Sequence, residues 1–121
     1  MIQLQRVYDE AAAGSAKGEG TSFLVERLWP RGIKKEALHF DAWLKEAAPS
    51  TELRQWFAHD QAKWKEFQRR YFAELDKKPE ALEPIRNALR HGPVIFLYSS
   101  HDMEHNNAVA LKTYLAPRKA R

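Results

Sequence analysis

The chain of 121 residues contains no cysteine. Disulfides, thiolate nucleophiles and Cys-ligated zinc or iron-sulfur centres are thereby excluded, and the composition fits a reducing cytoplasm. No apolar run approaches the roughly 20 residues that a membrane-spanning helix requires. The opening Met1-Ile2-Gln3-Leu4-Gln5-Arg6 also lacks the basic-then-apolar order of a signal peptide. A cytoplasmic protein with no membrane partner is the expectation. Glycine is scarce, and Gly14, Gly18 and Gly20, in a break over residues 11–20, do not have the spacing of a phosphate-binding loop. An excess of one charge is nearly absent as well. Of the net +4, Arg118, Lys119 and Arg121 supply three, leaving a body close to neutral. Elsewhere basic and acidic residues alternate, as in Lys63, Lys65, Glu66, Arg69, Arg70 and Glu74, which reads as a solvated helix face. A surface that tracks phosphates concentrates its cations on one face. A nucleic-acid accessory role resting on the tail and on Lys34-Lys35 is therefore the subordinate reading.

What the chain does have is apolar content sufficient for one core, 44% of residues. Residues 1–116 are expected to form a single α/β domain, with 117–121 as a basic tail. Gln3, Leu4, Gln5, Arg6, Val7 and Tyr8 alternate as a first strand, and residues 22–28 form a second before Pro30 stops it. The break between them either closes a hairpin or opens a crossover. Ala37, Phe40, Leu44 and Ala47 recur at helical spacing until Pro49. Ser50 is then the N-cap of a short helix burying Leu53, Trp56 and Phe57, and Asp60 is a second cap, ahead of the stripe Trp64, Phe67, Tyr71 and Leu75. Each buried aromatic of that stripe contributes roughly 1.5–3 kcal/mol, so the stripe reads as core.

Pro84 would break a helix interior at about 3 kcal/mol. The next helix therefore starts near Ala81, with Pro84 in its first turn, and His91-Gly92-Pro93 ends it. The uninterrupted run Val94-Ile95-Phe96-Leu97-Tyr98 has the composition of a central strand buried on both faces. Asp102 is expected to cap a last helix with Ala108, Leu111 and Leu115 inward. Strand, strand, helices, strand, helix implies a right-handed crossover, and so a small α/β sandwich: a mostly parallel sheet flanked by helices.

The densest chemistry lies in Glu26, Arg27, Trp29, Pro30 and Arg31, directly after the second strand, and in Ser99, Ser100, His101, Asp102, His105 and Asn106, directly after the fourth element of that order. In open α/β sheets ligands lie outside the carboxyl ends of the strands. The two loops should therefore share one edge, with Tyr8 and Asp9 at the end of the first strand beside them. Arginine presents a planar fork suited to carboxylate or phosphate. Glu26 can act as an acid or base once desolvation raises its pKa.

This chain resembles the YeaO-like branch of the domain of unknown function family 488, over nearly its full length. The likeness rests on Arg6-Val7-Tyr8-Asp9, Leu24-Val25-Glu26-Arg27-Leu28-Trp29-Pro30-Arg31-Gly32, Ala48-Pro49-Ser50-Thr51-Glu52-Leu53-Arg54, Trp56-Phe57-Ala58-His59-Asp60, Leu97-Tyr98 and Asp102-Met103-Glu104-His105-Asn106. It implies a compact bacterial-type α/β protein and carries over no activity and no cofactor. Other branches place a cysteine and a Cys-His-Arg triplet in the loop and helix after the last strand. This chain has Tyr98 and His105-Asn106-Asn107 there, so thiol chemistry lacks its reactive atom.

The resulting expectation is a small anionic ligand held by Tyr8, Arg27, Arg31, Ser99, His101 and Asn106, with Glu26 and His105 in acid/base roles if the protein is a hydrolase or transferase. The competing reading of Glu26, Arg27 and Arg31 is a purely structural ion-pair lattice that fixes the Trp29 turn. His101 and His105, four apart, share a helical face if the last helix starts early, but the Glu that follows the first His in zinc helices is missing. No metal site is assigned. His59-Asp60 reads as a cap, and Ser99-Ser100 lacks a nucleophile elbow. No cofactor follows from these residues. Four Trp and six Phe in so short a chain leave room for a protein-interaction role or a homodimer face.

Overall fold

A computed structural model describes residues 1–8 and 20–116. Expectations placed on Asp9, on Gly14 and Gly18, and on the tail 117–121 lie outside the described residues. Four strands, β1 (Ile2–Arg6), β2 (Thr21–Leu24), β3 (Ala42–Trp43) and β4 (Val94–Tyr98), form one sheet in the order β1-β4-β2-β3. Every pairing is parallel, with Arg6 opposite Tyr98 and Leu24 opposite Leu97. β1 and β2 are both parallel to the strand between them, which excludes the hairpin and leaves the crossover. β4 is central as its composition requires, and all five of its residues are buried.

Alternation along the strands sorts the core into two clusters. Phe23, Val25, Val94, Phe96 and Tyr98 face one way. Packed on them are residues of all four described helices, α1 (Thr51–Phe57), α2 (Trp64–Asp76), α3 (Glu83–His91) and α4 (Asn107–Leu115). Leu24, Ile95 and Leu97 face the other way and are covered by Val7 and Leu38, with Trp29, Ile33, Phe40 and Trp43 around them. On this second face Trp29 lies 5.8 Å from Phe40 and 5.5 Å from Trp43.

The helix expected through Ala37, Phe40, Leu44 and Ala47 does not form. The segment is instead a turn of 3-10 helix at Lys35–Ala37, the strand β3, and a second 3-10 turn at Lys45–Ala47. The cause is the open edge of β2. The Asp41 carboxylate accepts the Ser22 N–H at 2.7 Å, the Asp41 N–H donates to Ser22 O at 2.8 Å, and the Leu44 N–H donates to Leu24 O at 2.9 Å. Pairing with an unsatisfied edge outweighs a helical spacing that is only four residues strong. β2 likewise stops at Leu24, short of the expected residue 28, because Glu26 O is taken by Trp43 Nε1 at 2.6 Å.

The helix signals fare better. Ser50 Oγ accepts the Leu53 N–H at 3.1 Å, and Ser50 donates its own N–H and hydroxyl to Glu74 of α2. The Asp60 carboxylate caps the 3-10 turn that leads into α2. Within α2, Phe67, Tyr71 and Leu75 are buried, and the fully buried Tyr71 hydroxyl donates to Ala47 O at 2.5 Å. Pro84 sits in the first turn of α3, after a 3-10 turn at Pro79–Leu82.

Asp102 does not cap the last helix. Its carboxylate accepts the N–H groups of Glu104 and His105 at 2.9 and 3.0 Å and so closes a turn of its own. Asn106 is the cap, accepting the Val109 N–H at 2.9 Å. His101 and His105 both precede the helix and share no helical face.

One local strain stands out. α1 ends in two consecutive non-glycine residues in the left-handed region, Ala58 at φ 48° and His59 at φ 59°. Each such residue costs roughly 1–2 kcal/mol. Ala58 is exposed, so its methyl contributes little packing. Ala58→Gly is expected to raise stability by about 1 kcal/mol, read as a higher urea midpoint at unchanged slope. An unchanged or lower midpoint would show that position 58 is not strained in solution.

Candidate functional site

Because the three long strands are parallel and in register, the residues following Arg6, Leu24 and Tyr98 emerge at one edge. Three side chains tie that edge together. Glu26 Oε2 accepts the Ser99 N–H at 3.0 Å, joining the loops after β2 and β4. Asn107 Nδ2, in the first turn of α4, donates to Val25 O. Arg6, the last residue of β1, donates from Nε to Ser100 O at 3.0 Å and lies 2.9 Å from His101 Nδ1.

Between these loops and α1 lies a cavity of about 100 Å³, lined by Glu26, Arg27, Pro49, Arg54, Phe57, His59, Phe67, Ser99, Ser100, His105, Asn106 and Asn107. A wider groove of about 680 Å³ continues outward past Tyr8, Leu28, Trp29, Pro30, Arg31, Gln61, His101 and Asp102. Glu26, Arg54, His59, Ser99 and Ser100 line both and so form the neck between them.

All eight expected site residues lie along this continuous surface, but they divide by depth and by what already holds them. Arg27 donates to Pro49 O at 3.2 Å, to Ala48 O at 3.1 Å and to Glu46 at 3.4 Å. Its fork is thus largely spent on the chain that leads into α1. The Asn106 side chain is spent on both of its functions, capping α4 and donating to Asp102 O at 2.8 Å. Tyr8 OH donates to Arg31 O at 2.8 Å, while the Arg31 side chain lies exposed on the outer groove. His101 is engaged by Arg6. His105 places Nδ1 3.0 Å from Asp102 Oδ2 and meets the Trp64 ring edge-on, 5.3 Å away.

The ion-pair lattice among Glu26, Arg27 and Arg31 does not exist among the described residues. Glu26 turns to Ser99 while Arg27 turns to the 48–49 carbonyls. The Trp29 turn is held instead by its indole N–H on Ile33 O at 2.6 Å and by its aromatic neighbours.

Arg54 and His59 line the site although the sequence reading did not assign them to it, His59-Asp60 being read as a cap. Arg54 lies beside the buried face of α1, one residue from Leu53 and three from Phe57, and among the described residues its side chain has no hydrogen bond or ion pair. The legible signal was an arginine flanking two buried positions of a short helix. His59 reaches the neck only through two left-handed residues, and nothing in Ala58-His59 announces that conformation.

The electrostatics follow from this packing. Loss of water around the Glu26 carboxyl raises its pKa above 4.5, and the Ser99 hydrogen bonds and the Arg54 charge oppose that only in part. Asp102 is held down at about 2, chiefly by the Glu104 N–H. A carboxyl whose folded pKa is raised binds more protons folded than unfolded between the two values. Its contribution is fully present below 4.5 and is lost as pH rises through the folded value. Glu26→Gln keeps an acceptor for Ser99 without the charge. Its stability relative to wild type should therefore climb from pH 4 to pH 7. Parallel urea-midpoint profiles for the two proteins would refute a raised Glu26.

Fold and site together define a small parallel α/β protein with a polar cleft at the carboxyl edge of its sheet. The chain matches the family described as the inactive DUF488-N3 subclade over residues 1–121, and it belongs to that family. It is 39% identical over 114 residues to the uncharacterized protein YeaO of Escherichia coli (strain K12), covering 94% of this chain and 96% of that one. It is 31% identical over 117 residues to the uncharacterized proteins Mb3100c of Mycobacterium bovis and Rv3073c of Mycobacterium tuberculosis, covering 97% of this chain and 95% of each. No solved structure matches the chain. No helix among the described residues is long and apolar enough to cross a membrane.

Proposed function

We propose that this protein binds a small anionic molecule, carrying carboxylate or phosphate, at the carboxyl ends of its strands. The observation that carries this reading is Arg54, a half-buried residue at the neck whose side-chain donors have no protein partner among the described residues. A guanidinium whose donors no protein acceptor occupies is free to form charge-assisted, bidentate hydrogen bonds with an anion. Arg31 adds a second cation on the outer groove, and the Ser99 and Ser100 hydroxyls lie between the two parts of the surface. The description of the family as inactive supports binding without turnover.

A second, enzymatic reading draws on one contact. Asp102 beside His105 Nδ1 favours the tautomer with Nε2 as the base, and Glu26 lines the same cavity as an acid.

Thermal-shift measurements with inorganic phosphate, acetate and succinate test the binding reading. A ligand at 100 times its Kd stabilises the folded state by about 2.7 kcal/mol. Arg54→Ala should abolish the shift while leaving unliganded stability within about 0.5 kcal/mol of wild type. Arg27→Ala should cost about 1–3 kcal/mol with no ligand present, because it strands the Ala48 and Pro49 carbonyls. No shift with any of the three anions, or a shift that survives Arg54→Ala, overturns the proposal.

A further inference from the structure

We propose that the ligand is a zwitterion, an α-amino acid with a small apolar side chain, whose carboxylate is received by Arg54 and whose ammonium group is received by Glu26. The inference rests on the anion-binding reading and narrows it.

The first ground is the pairing of opposite groups at the neck. Arg54 and Glu26 line both the cavity and the groove, and they are close enough for the arginine charge to act on the carboxyl. Among the described residues no hydrogen bond or ion pair engages the Arg54 side chain. Among the same residues Glu26 is engaged by Ser99, and a carboxylate has about four lone-pair sites, so acceptor capacity remains. A simple anion satisfies the arginine and meets the carboxyl as a like charge. A simple amine does the reverse. One small molecule bearing both groups completes both, and an ammonium group beside Glu26 also offsets the cost of keeping that carboxylate away from water.

The second ground is what lies beneath the neck. Most polar side chains that line only the deeper cavity are committed elsewhere: Arg27 to the carbonyls of residues 48 and 49, His105 to Asp102, Asn106 to the α4 cap and Asn107 to Val25. Apart from His105 Nε2, what remains for a ligand there is apolar, the rings of Phe57 and Phe67, their centroids 4.3 Å apart, and the buried Pro49. The space is about 100 Å³. Since a cavity of roughly 150 Å³ holds benzene, an aliphatic side chain the size of alanine or valine fits and an aromatic one does not.

Isothermal titration of the full chain with L-valine, isovalerate and isobutylamine separates the parts, because the second lacks only the ammonium group and the third only the carboxylate. Inorganic phosphate serves as the plain anion. L-valine should bind at least about tenfold more tightly than either truncated compound. Glu26→Gln should remove that advantage by weakening L-valine while isovalerate, relieved of a like charge, binds no more weakly than to wild type, and L-phenylalanine should not bind. If isovalerate binds wild type as tightly as L-valine, the zwitterion is wrong and the anion site stands. If isobutylamine alone binds, or if nothing binds, phosphate included, both readings fall. The wild-type series decides the matter even if Glu26→Gln does not fold.

Discussion

Of the three side-chain ties at the carboxyl edge of this sheet, the hydrogen bond from the Ser99 N–H to the Glu26 carboxyl is the one that joins the loops after β2 and β4. Parallel strands deliver their chain ends to a common edge, but they do not join the loops that follow, and loops left free would splay into water. Glu26 joins two of them and accepts desolvation of its carboxyl in doing so. Neighbouring contacts follow from where it sits. Its carbonyl anchors Trp43, which brings β3 and the aromatic cover of the second sheet face into place. The residue before it, Val25, receives the amide of Asn107 and so docks the start of α4. The cavity is the space left between these tied loops and the end of α1.

Dependence on such ties explains which parts of the molecule were legible in the sequence. Val94–Tyr98 reads as a central strand because a strand buried on both faces needs no alternation. Ser50 and Pro84 read correctly because capping and the missing proline N–H are local chemistry. The segment 37–47 was misread because its fate is decided by the vacant edge of β2, which no local spacing reveals. Asn106, expected to bind a ligand, takes the capping role expected of Asp102 for a related reason. Both are good caps, and the choice between them is made by where Asn107 must stand to reach Val25.

The arginines show the same distinction at the site. Arg27 and Arg31 stand in the most conspicuous string of the chain, and it was reasonable to expect them to act as a pair. Arg27 in fact secures the 48–49 carbonyls ahead of α1. At the neck, a guanidinium with no protein partner among the described residues is that of Arg54, in an ordinary-looking helix. A sequence shows where charge is concentrated; only the fold shows which charges are already satisfied. Unsatisfied groups are the ones that have binding energy to offer a ligand.

The neck is also held in place before any ligand arrives. Glu26 is fixed by Ser99, α1 is fixed at its start by Ser50 gripping Glu74, and His59 is fixed at its end by a strained left-handed turn. Strain of that kind persists only where the surroundings over-determine it, and here the surroundings are the stacked Phe57 and Phe67 and the cap at Asp60. A site whose walls are already ordered loses little entropy on binding. A molecule of a few heavy atoms then spends less of its contact energy on ordering the protein, and what remains is set against its own lost translation and rotation. In such a site selectivity comes from where charges can meet a ligand, so Glu26, fixed by Ser99, and Arg54, without a partner among the described residues, matter more to the choice of ligand than the more numerous polar groups around them.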